Sequence, residues 1–499
     1  MFDFTNPSRQ SIKGIAVLFG FNSYKIIKSL FLAIAALSYS FIKSGKVFGM
    51  SQNKMIVIVF SVFLVIFIRS ILQYLNFKFY IDNDDFILSK GILNKEKISV
   101  SKSKIQNIYI RQNVLQQIIN VVQLEIETAG DAKAEVKINA LSRERALELK
   151  EHLLSYKSIE NKGLELLNDT PKVTAVYYRA SLKKLFLEGL SQNHIKSFMI
   201  IVGFVGGFYT SYEDYLKQLK LGDKFELLVK QNENSISILI VVFLLILSVT
   251  LIISILFSLI KTFLLNFELQ VIEHKKTIEI KKGLFNKVAI ILSPSRIQNI
   301  EIKNNRLKRY FGLNTLSIKQ AMVDKKLQKH FSIIGLDRVQ VDYLVKKLMQ
   351  KIGLISKQEK PEKYYIRVLI LKSIIPILIF NLLSFFKFGN QFWIVNLFLV
   401  PLISVLIYWR YRKAYYAIKD NMLIVGSGAI STITELLEFH KIQAVATKQT
   451  IFQKIRKIVT VEIYTASKAT KILYVKESRA NTIVDYLLYQ VESQRKDWM

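Results

Sequence analysis

The chain has no cysteine, six prolines and five histidines in 499 residues. Without cysteine there is no disulfide framework and no thiolate zinc or redox centre, and the compartment is left open. The histidines, His152, His194, His274, His330 and His440, are scattered without metal-ligand spacing. There is no Walker loop, dinucleotide fingerprint or nucleophile elbow. The run GFVGG at 203–207 sits in an apolar segment, where small residues serve helix packing. Acidic pairs such as Asp84 with Asp85 fall in a turn. These absences argue against an enzyme, a metal and a cofactor. Acidic residues are scarce too: 38 against 71 Lys and Arg, a net charge of +33 that draws phosphate-rich partners. Nucleic acid ranks low among them, because the cations adjoin apolar spans and lack interleaved stacking aromatics.

Long apolar runs are abundant. Residues 236–260 carry no charge over 25 positions, against about 20 needed to cross a hydrocarbon core. Residues 388–409 form a second such run, with Pro401 tolerated inside a bilayer helix. Weaker spans at 25–42, 54–75, 194–212 and 366–387 have Lys or Arg near an end, whose stems can snorkel. The six fall as three hairpins. The N-terminal stretch lacks the order of a secretory signal and reads as an interfacial helix entering the first span. Lys25, Lys28, Arg69, Lys196, Lys261, Arg367, Lys372, Arg410, Arg412 and Lys413 lie at the span ends facing the large connecting segments. The positive-inside rule therefore places those segments and both termini in the cytoplasm.

The chain also repeats itself. SKIQNI at 103–108 returns as SRIQNI at 295–300 and, more faintly, as HKIQAV at 440–445. Taking Gln106, Gln298 and Gln443 as anchors, a glycine stands fifteen positions upstream in every copy (Gly91, Gly283, Gly428). A large apolar residue stands nine downstream (Leu115, Leu307, Phe452), and an alanine twenty-three downstream (Ala129, Ala321, Ala466). The repeating unit is a membrane hairpin followed by a domain.

Inside each domain the period is two: NIYI at 107–110, QLEIET at 123–128, NTLSIK at 314–319 and VTVEIYT at 459–465 read as half-buried antiparallel strands. Between strands lies a short helical block, VLQQII, RLKRYF or IFQKIR. Each domain closes on an amphipathic helix, at 142–154, 337–349 and 479–491. Ile105, Ile297 and Ile442 read as core residues, and the three anchor glutamines as structural bonds to neighbouring backbone, the alternative being a shared ligand contact.

The stretches SKIQNIYIRQNVLQQIINVVQLEIETAG and SRIQNIEIKNNRLKRYFGLNTLSIKQA resemble the bacterial pleckstrin-homology-like (PH-like) domain of the YdbT-like membrane protein family, and the resemblance covers essentially the whole chain. The third copy departs from the motif. The resemblance implies an α+β membrane protein: three repeats of a transmembrane hairpin followed by a cytoplasmic PH-like β-barrel of about seven strands with a C-terminal helix. It further implies a role in envelope protection against membrane-active peptides, and a shorter single-unit PH-like membrane protein as partner. The segments are an interfacial segment with hairpin 1 at 1–75, PH-like domains at 76–160, 264–356 and 410–499, and linkers with hairpins 2 and 3 at 161–263 and 357–409.

Positive charge is concentrated in the middle domain, where Lys and Arg outnumber Asp and Glu by 20 to 8 over residues 264–360, against 13 to 12 over 76–160. Lys275, Lys276, Lys281, Lys282, Lys287, Lys303, Arg306, Lys308 and Arg309 form the candidate site for anionic lipid headgroups. The alternative is a solvated face that merely obeys the positive-inside rule. Two functions follow: a scaffold presenting lipid- or protein-binding modules at the bacterial cytoplasmic membrane, or a six-helix path for a lipid or peptide gated by the domains. The near absence of ionisable residues within the spans favours the first.

Overall fold

The computed structural model describes residues 2–30, 52–128, 136–159, 175–194, 236–274, 277–321, 330–349, 358–389, 396–419 and 421–493, with a few positions between 197 and 207 and Trp393. They fall into two compact units, Met1–Tyr177 with Val271–Ile291, and Tyr178–Gln270 with Leu292–Met499.

In the first unit, α1 (Gly14–Ser29) packs on α2 (Gln52–Leu75). Asn22 Nδ2 donates to Ser70 Oγ at 3.1 Å and to Gln73 Oε1 at 2.9 Å, and Phe19 meets Phe63 and Phe67. The first copy then lays down β1 (Lys78–Asp82), β2 (Asp85–Lys90) and β3 (Glu96–Ser101) as one antiparallel meander. The strands β4 (Ile105–Gln112), β5 (Val122–Thr128) and β6 (Val136–Leu141) make a second, with α3 (Val114–Ile118) between β4 and β5. Alternate residues of both meanders, Phe79, Phe86 and Leu88 on one and Leu124, Ile126 and Ile138 on the other, bury fully against Ala146 and Leu149 of α4 (Arg143–Ile159). Each such side chain contributes about 1.5–3 kcal/mol of burial.

The second meander does not stop at the first copy. β7 (Ala175–Arg179), β8 (Gln270–Glu273), β9 (Ile278–Lys282) and β10 (Lys287–Leu292) belong to the second copy, and β10 pairs antiparallel with β4. One seven-stranded sheet results, in the order β6-β5-β4-β10-β9-β8-β7.

The second unit repeats this arrangement. It holds α5 (Leu182–Leu190), α6 (Ile236–Asn266), β11 (Ile297–Asn304), α7 (Arg306–Tyr310), β12 (Asn314–Gln320), β13 (Ser332–Leu336) and α8 (Arg338–Leu348). Then come α9 (Tyr364–Phe388), α10 (Asn396–Lys413), β14 (Tyr415–Lys419), β15 (Met422–Ser427) and β16 (Thr432–Glu438). The chain ends with β17 (Ile442–Lys448), α11 (Ile451–Ile455), β18 (Ile458–Thr465), β19 (Ala469–Lys476) and α12 (Glu477–Ser493). β11 of the second copy pairs with β16 of the third, giving the order β13-β12-β11-β16-β15-β14, while β17, β18 and β19 form a separate sheet. Leu423, Leu437, Phe439, Val461 and Ile463 build the third core with Ala480, Ile483 and Leu487 of α12.

Each copy was expected to close as a barrel of about seven strands. The described residues give each of the three copies six strands in two meanders, with β7 added beside β8, and consecutive copies are joined edge to edge. The physical reason is the backbone: an edge strand with unpaired N–H and C=O groups is satisfied by the first meander of the next copy.

Among the described residues three helices carry stretches long and apolar enough to cross a membrane: Ile56–Leu75, Leu247–Asn266 and Tyr364–Phe386. Their side chains are mostly bare of protein, Phe60 at 68% and Val65 at 64% exposure being examples, which suits lipid contact. α10 covers much of the span expected at 388–409, with Pro401 inside it. The spans expected at 25–42 and 194–212 lie largely outside the described residues.

Candidate membrane-surface site

The repeat motif has the same backbone setting in each copy. In all three copies a 3₁₀ turn, Lys102–Lys104, Pro294–Arg296 or Phe439–Lys441, leads into the IQ strand. The register against the next strand then slips between Ile105 and Asn107, Ile297 and Asn299, and Ile442 and Ala444. Gln106, Gln298 and Gln443 are therefore the extra residue of a β-bulge, the bend that lets one strand leave a meander. The repeat glycines have φ of 112°, 108° and 111° at Gly91, Gly283 and Gly428. A Cβ there would lie 1.9 to 2.1 Å from the carbonyl oxygen of Asn94, Asn286 or Ser431.

After each IQ strand comes the short helix. Its N-terminus is capped by Asn113, Asn305 or Thr450, whose side chain accepts from the backbone N–H three residues on. With that end fixed, the apolar residues of the turn point outward. Ile118 is 76% exposed, Leu307 49%, Tyr310 84%, Ile451 78%, Phe452 70% and Ile455 75%. These helices lie beside the span helices. α3 meets α1, whose Gly20 leaves room for Leu115. The Arg306 guanidinium of α7 stacks 4.3 Å over Trp409 near the end of α10, and Arg456, just past α11, lies 4.8 Å over Tyr364, the first residue of α9. Aromatic side chains at the ends of membrane helices mark the headgroup level.

α7 is also anchored from below. Lys308 pairs with Glu188 of α5, both buried, and Lys308 Nζ donates to Thr315 Oγ1 at 2.6 Å. Asn305 Nδ2 donates to the Ser191 carbonyl at 2.5 Å. α5 in turn packs on α6, where Ser258 Oγ donates to the Gly189 carbonyl at 3.2 Å.

The nine predicted cations divide. Lys275 and Lys276 lie outside the described residues. Lys282 and Lys308 are buried, so neither presents its charge to solvent, and burial pushes the Lys282 ammonium down to about 7. Lys281 pairs with Glu279 at 3.2 Å and Lys303 with Glu301 at 2.9 Å. Lys287, Arg306 and Arg309 are exposed. Lys281, Lys282 and Lys287 belong to the first unit, and Lys303, Arg306, Lys308 and Arg309 to the second.

A cation absent from the predicted set completes the site. Lys413, the last residue of α10, donates to the carbonyls of Ala429 (2.5 Å) and Ile430 (2.8 Å). Burial, then the neighbouring Arg309 and Arg306, hold its ammonium below the usual lysine range. Arg306 thus lies over Trp409 and Lys413 stands one helical turn beyond that Trp409, at the end of an apolar helix, with the charges of Arg309 and Arg306 opposing that of Lys413. An anion at that place would relieve their mutual repulsion. The signal in the sequence was the basic run Arg410, Arg412, Lys413 closing an apolar stretch.

A second charged cluster is internal. Glu301 and Glu435 stand directly opposite each other across the joint of β11 and β16. Lys468 bridges them, at 2.5 Å and 3.0 Å, and Asn299 Nδ2 donates to Glu435 Oε1 at 2.6 Å. Burial alone would raise the Glu301 carboxyl, but Lys468 and Lys303 outweigh it and hold it at about 2, against an ordinary 4.5. A carboxylate whose native pKa is depressed stabilises the fold above its unfolded pKa and loses that contribution as pH falls towards the native value. The thermal midpoint of the full chain in detergent should therefore fall between pH 4.5 and 2, and Lys468→Met should flatten that part of the profile. An unchanged profile in the variant would deny Glu301 this role. Among the described residues no group of three or more His, Asp or Glu side chains converges as a metal site.

The bacterial PH domain model matches residues 27–157, 218–357 and 368–491. The chain is 23% identical over 405 residues to the UPF0699 transmembrane protein YdbT of Bacillus subtilis (strain 168), covering 79% of this chain and 80% of that one. No solved structure matches. With three matches spread over most of its length, the chain belongs to the bacterial PH domain family and is a transmembrane protein carrying that domain in repeat.

Proposed function

We propose that this protein is a non-enzymatic scaffold of the bacterial cytoplasmic membrane, crossing it six times with its PH-like modules and both termini in the cytoplasm, and that it holds anionic phospholipid headgroups at Arg306, Arg309 and Lys413. The observation that carries this reading is the seating of the Arg306 guanidinium over Trp409, one helical turn before Lys413, at the end of the apolar helix α10. Juxtamembrane cations gain about 1 kcal/mol each near an anionic leaflet. The exposed apolar turn of α11, flanked by Lys454, Arg456 and Lys457, supports the same membrane-facing orientation for the third copy. An envelope-protecting role fits a scaffold that covers the inner leaflet where membrane-active peptides would disrupt it.

The test uses the full chain in nanodiscs of phosphatidylcholine with or without phosphatidylglycerol, with bound lipid counted by native mass spectrometry. Phosphatidylglycerol should be retained selectively, and the double variant Arg306→Gln/Arg309→Gln should lose roughly tenfold in retention or more, from about 1 kcal/mol per cation. Equal retention of both lipids, or no change in the variant, would sink the headgroup reading.

A further inference from the structure

Among the described residues, two edges of the three-stranded meanders are left open, one at each end of the repeat series, while the other meander edges each carry a contact. Ser11 N–H donates to the Ala140 carbonyl of β6, the Tyr178 hydroxyl donates to the carbonyls of Ile334 and Gly335 of β13, and Glu362 N–H donates to the Tyr474 carbonyl of β19. The first strands are covered as well, by Ser8 on β1, by β7 on β8 and by Glu359 on β14. Among the described residues, β3 has a partner on one side only, β2, and β17 likewise has only β18. Both are bare compared with their equivalents. Ala444 and Gln443 of β17 are exposed, where Asn299 and Gln298 of β11 are fully buried.

These two edges are the two halves of one joint. Within the chain, β4 receives β10 and β11 receives β16, so a second-meander edge takes the third strand of a first meander each time. The register is the same in both. Lys287, four residues past Gly283, stands opposite Gln112, six past Gln106; Thr432, four past Gly428, stands opposite Asn304, six past Gln298. β17 is the receiving edge of the third copy and β3 the inserting strand of the first. Nothing within the described chain fills either.

We propose that β17 of one molecule receives β3 of a second copy of this chain, in the register of the internal joints. That register sets Val100 opposite Ala444, Ile98 opposite Ala446, Lys97 opposite Thr447 and Glu96 opposite Lys448. No like charges face each other, and the one charged pair has opposite signs, which favours this partner over an arbitrary strand. The contact is head-to-tail, so it builds rings or open rows, all with their modules on the same membrane face. It rests on the sheet joints and not on the headgroup site, and the two can fail separately.

The chain has no cysteine, which makes the test clean. Full-length Lys97→Cys and Thr447→Cys variants, with different tags, are co-expressed and the membranes oxidised; both positions are exposed and lie outside the cores. Directly opposed residues have Cβ atoms about 4.5–5.5 Å apart, close enough to bridge after small shifts. A covalent product of twice the chain mass containing both tags is expected. Neither variant alone should give it, nor should Lys97→Cys with Gln443→Cys, which is four positions out of register. Light scattering of the unmodified chain in detergent should show multiples of one chain mass. A monomer at every concentration, or equal bridging in the out-of-register pair, overturns the proposal.

Discussion

Glu188→Ala lowers the stability of the full chain by about 3–5 kcal/mol, because it leaves the Lys308 ammonium buried without its counter-ion. The carboxylate is fully buried, shares its Oε1 with Lys308 and with the Thr315 hydroxyl (3.1 Å), and belongs to the helix that packs on α6. Loss of the pair therefore loosens the second half of the middle copy from its membrane helix. The double replacement Glu188→Leu/Lys308→Leu removes both charges and recovers most of the loss, as apolar replacements of buried pairs do. Thermal unfolding in detergent separates the two variants. A single substitution costing no more than an exposed one would show that water reaches Lys308.

Gly428→Ala has an effect of comparable size through the backbone. Its φ of 111° is strained for any residue with a Cβ, and that Cβ would sit 1.9 Å from the Ser431 carbonyl oxygen. Strain of this kind costs about 1–3 kcal/mol before the clash is counted. The turn joins β15 to β16, and β16 carries the joint to β11, so the variant should expose amides of β11 to hydrogen exchange together with those of β16. Exchange confined to residues 428–431 would show that the joint does not depend on the turn. The equivalent Gly283→Ala should act in the same way on β10 and β4.

Much of this architecture is written locally. The alternation of QLEIET and VTVEIYT gives β5 and β18, the capped blocks give the three short helices, and the apolar rows after them give α4, α8 and α12. The edge-to-edge joints are not, because period two fixes which face of a strand is buried and says nothing about which strand lies beside it. The charged site was half legible. Lys282 follows Ile278 and Ile280 at alternate positions on β9, so the same period that identified the strand already placed it on the buried face. Lys308 is hidden by a partner 120 residues away, and Lys413 closes a helix that begins 90 residues after Arg306. Spacing along the chain carries no trace of either placement.

The shared sheets also set a timetable for synthesis. The β4 edge is completed by β10, whose Lys287 follows Gln112 by 175 positions, with the long apolar helix α6 to be made between them. At about 5–20 residues per second, the nascent first copy waits roughly 10–35 s with that edge bare. During that interval it is a template for any passing strand, and the strands most like its own mate are on neighbouring ribosomes translating the same message. Spacing between ribosomes on the message thus becomes a determinant of correct assembly for this fold.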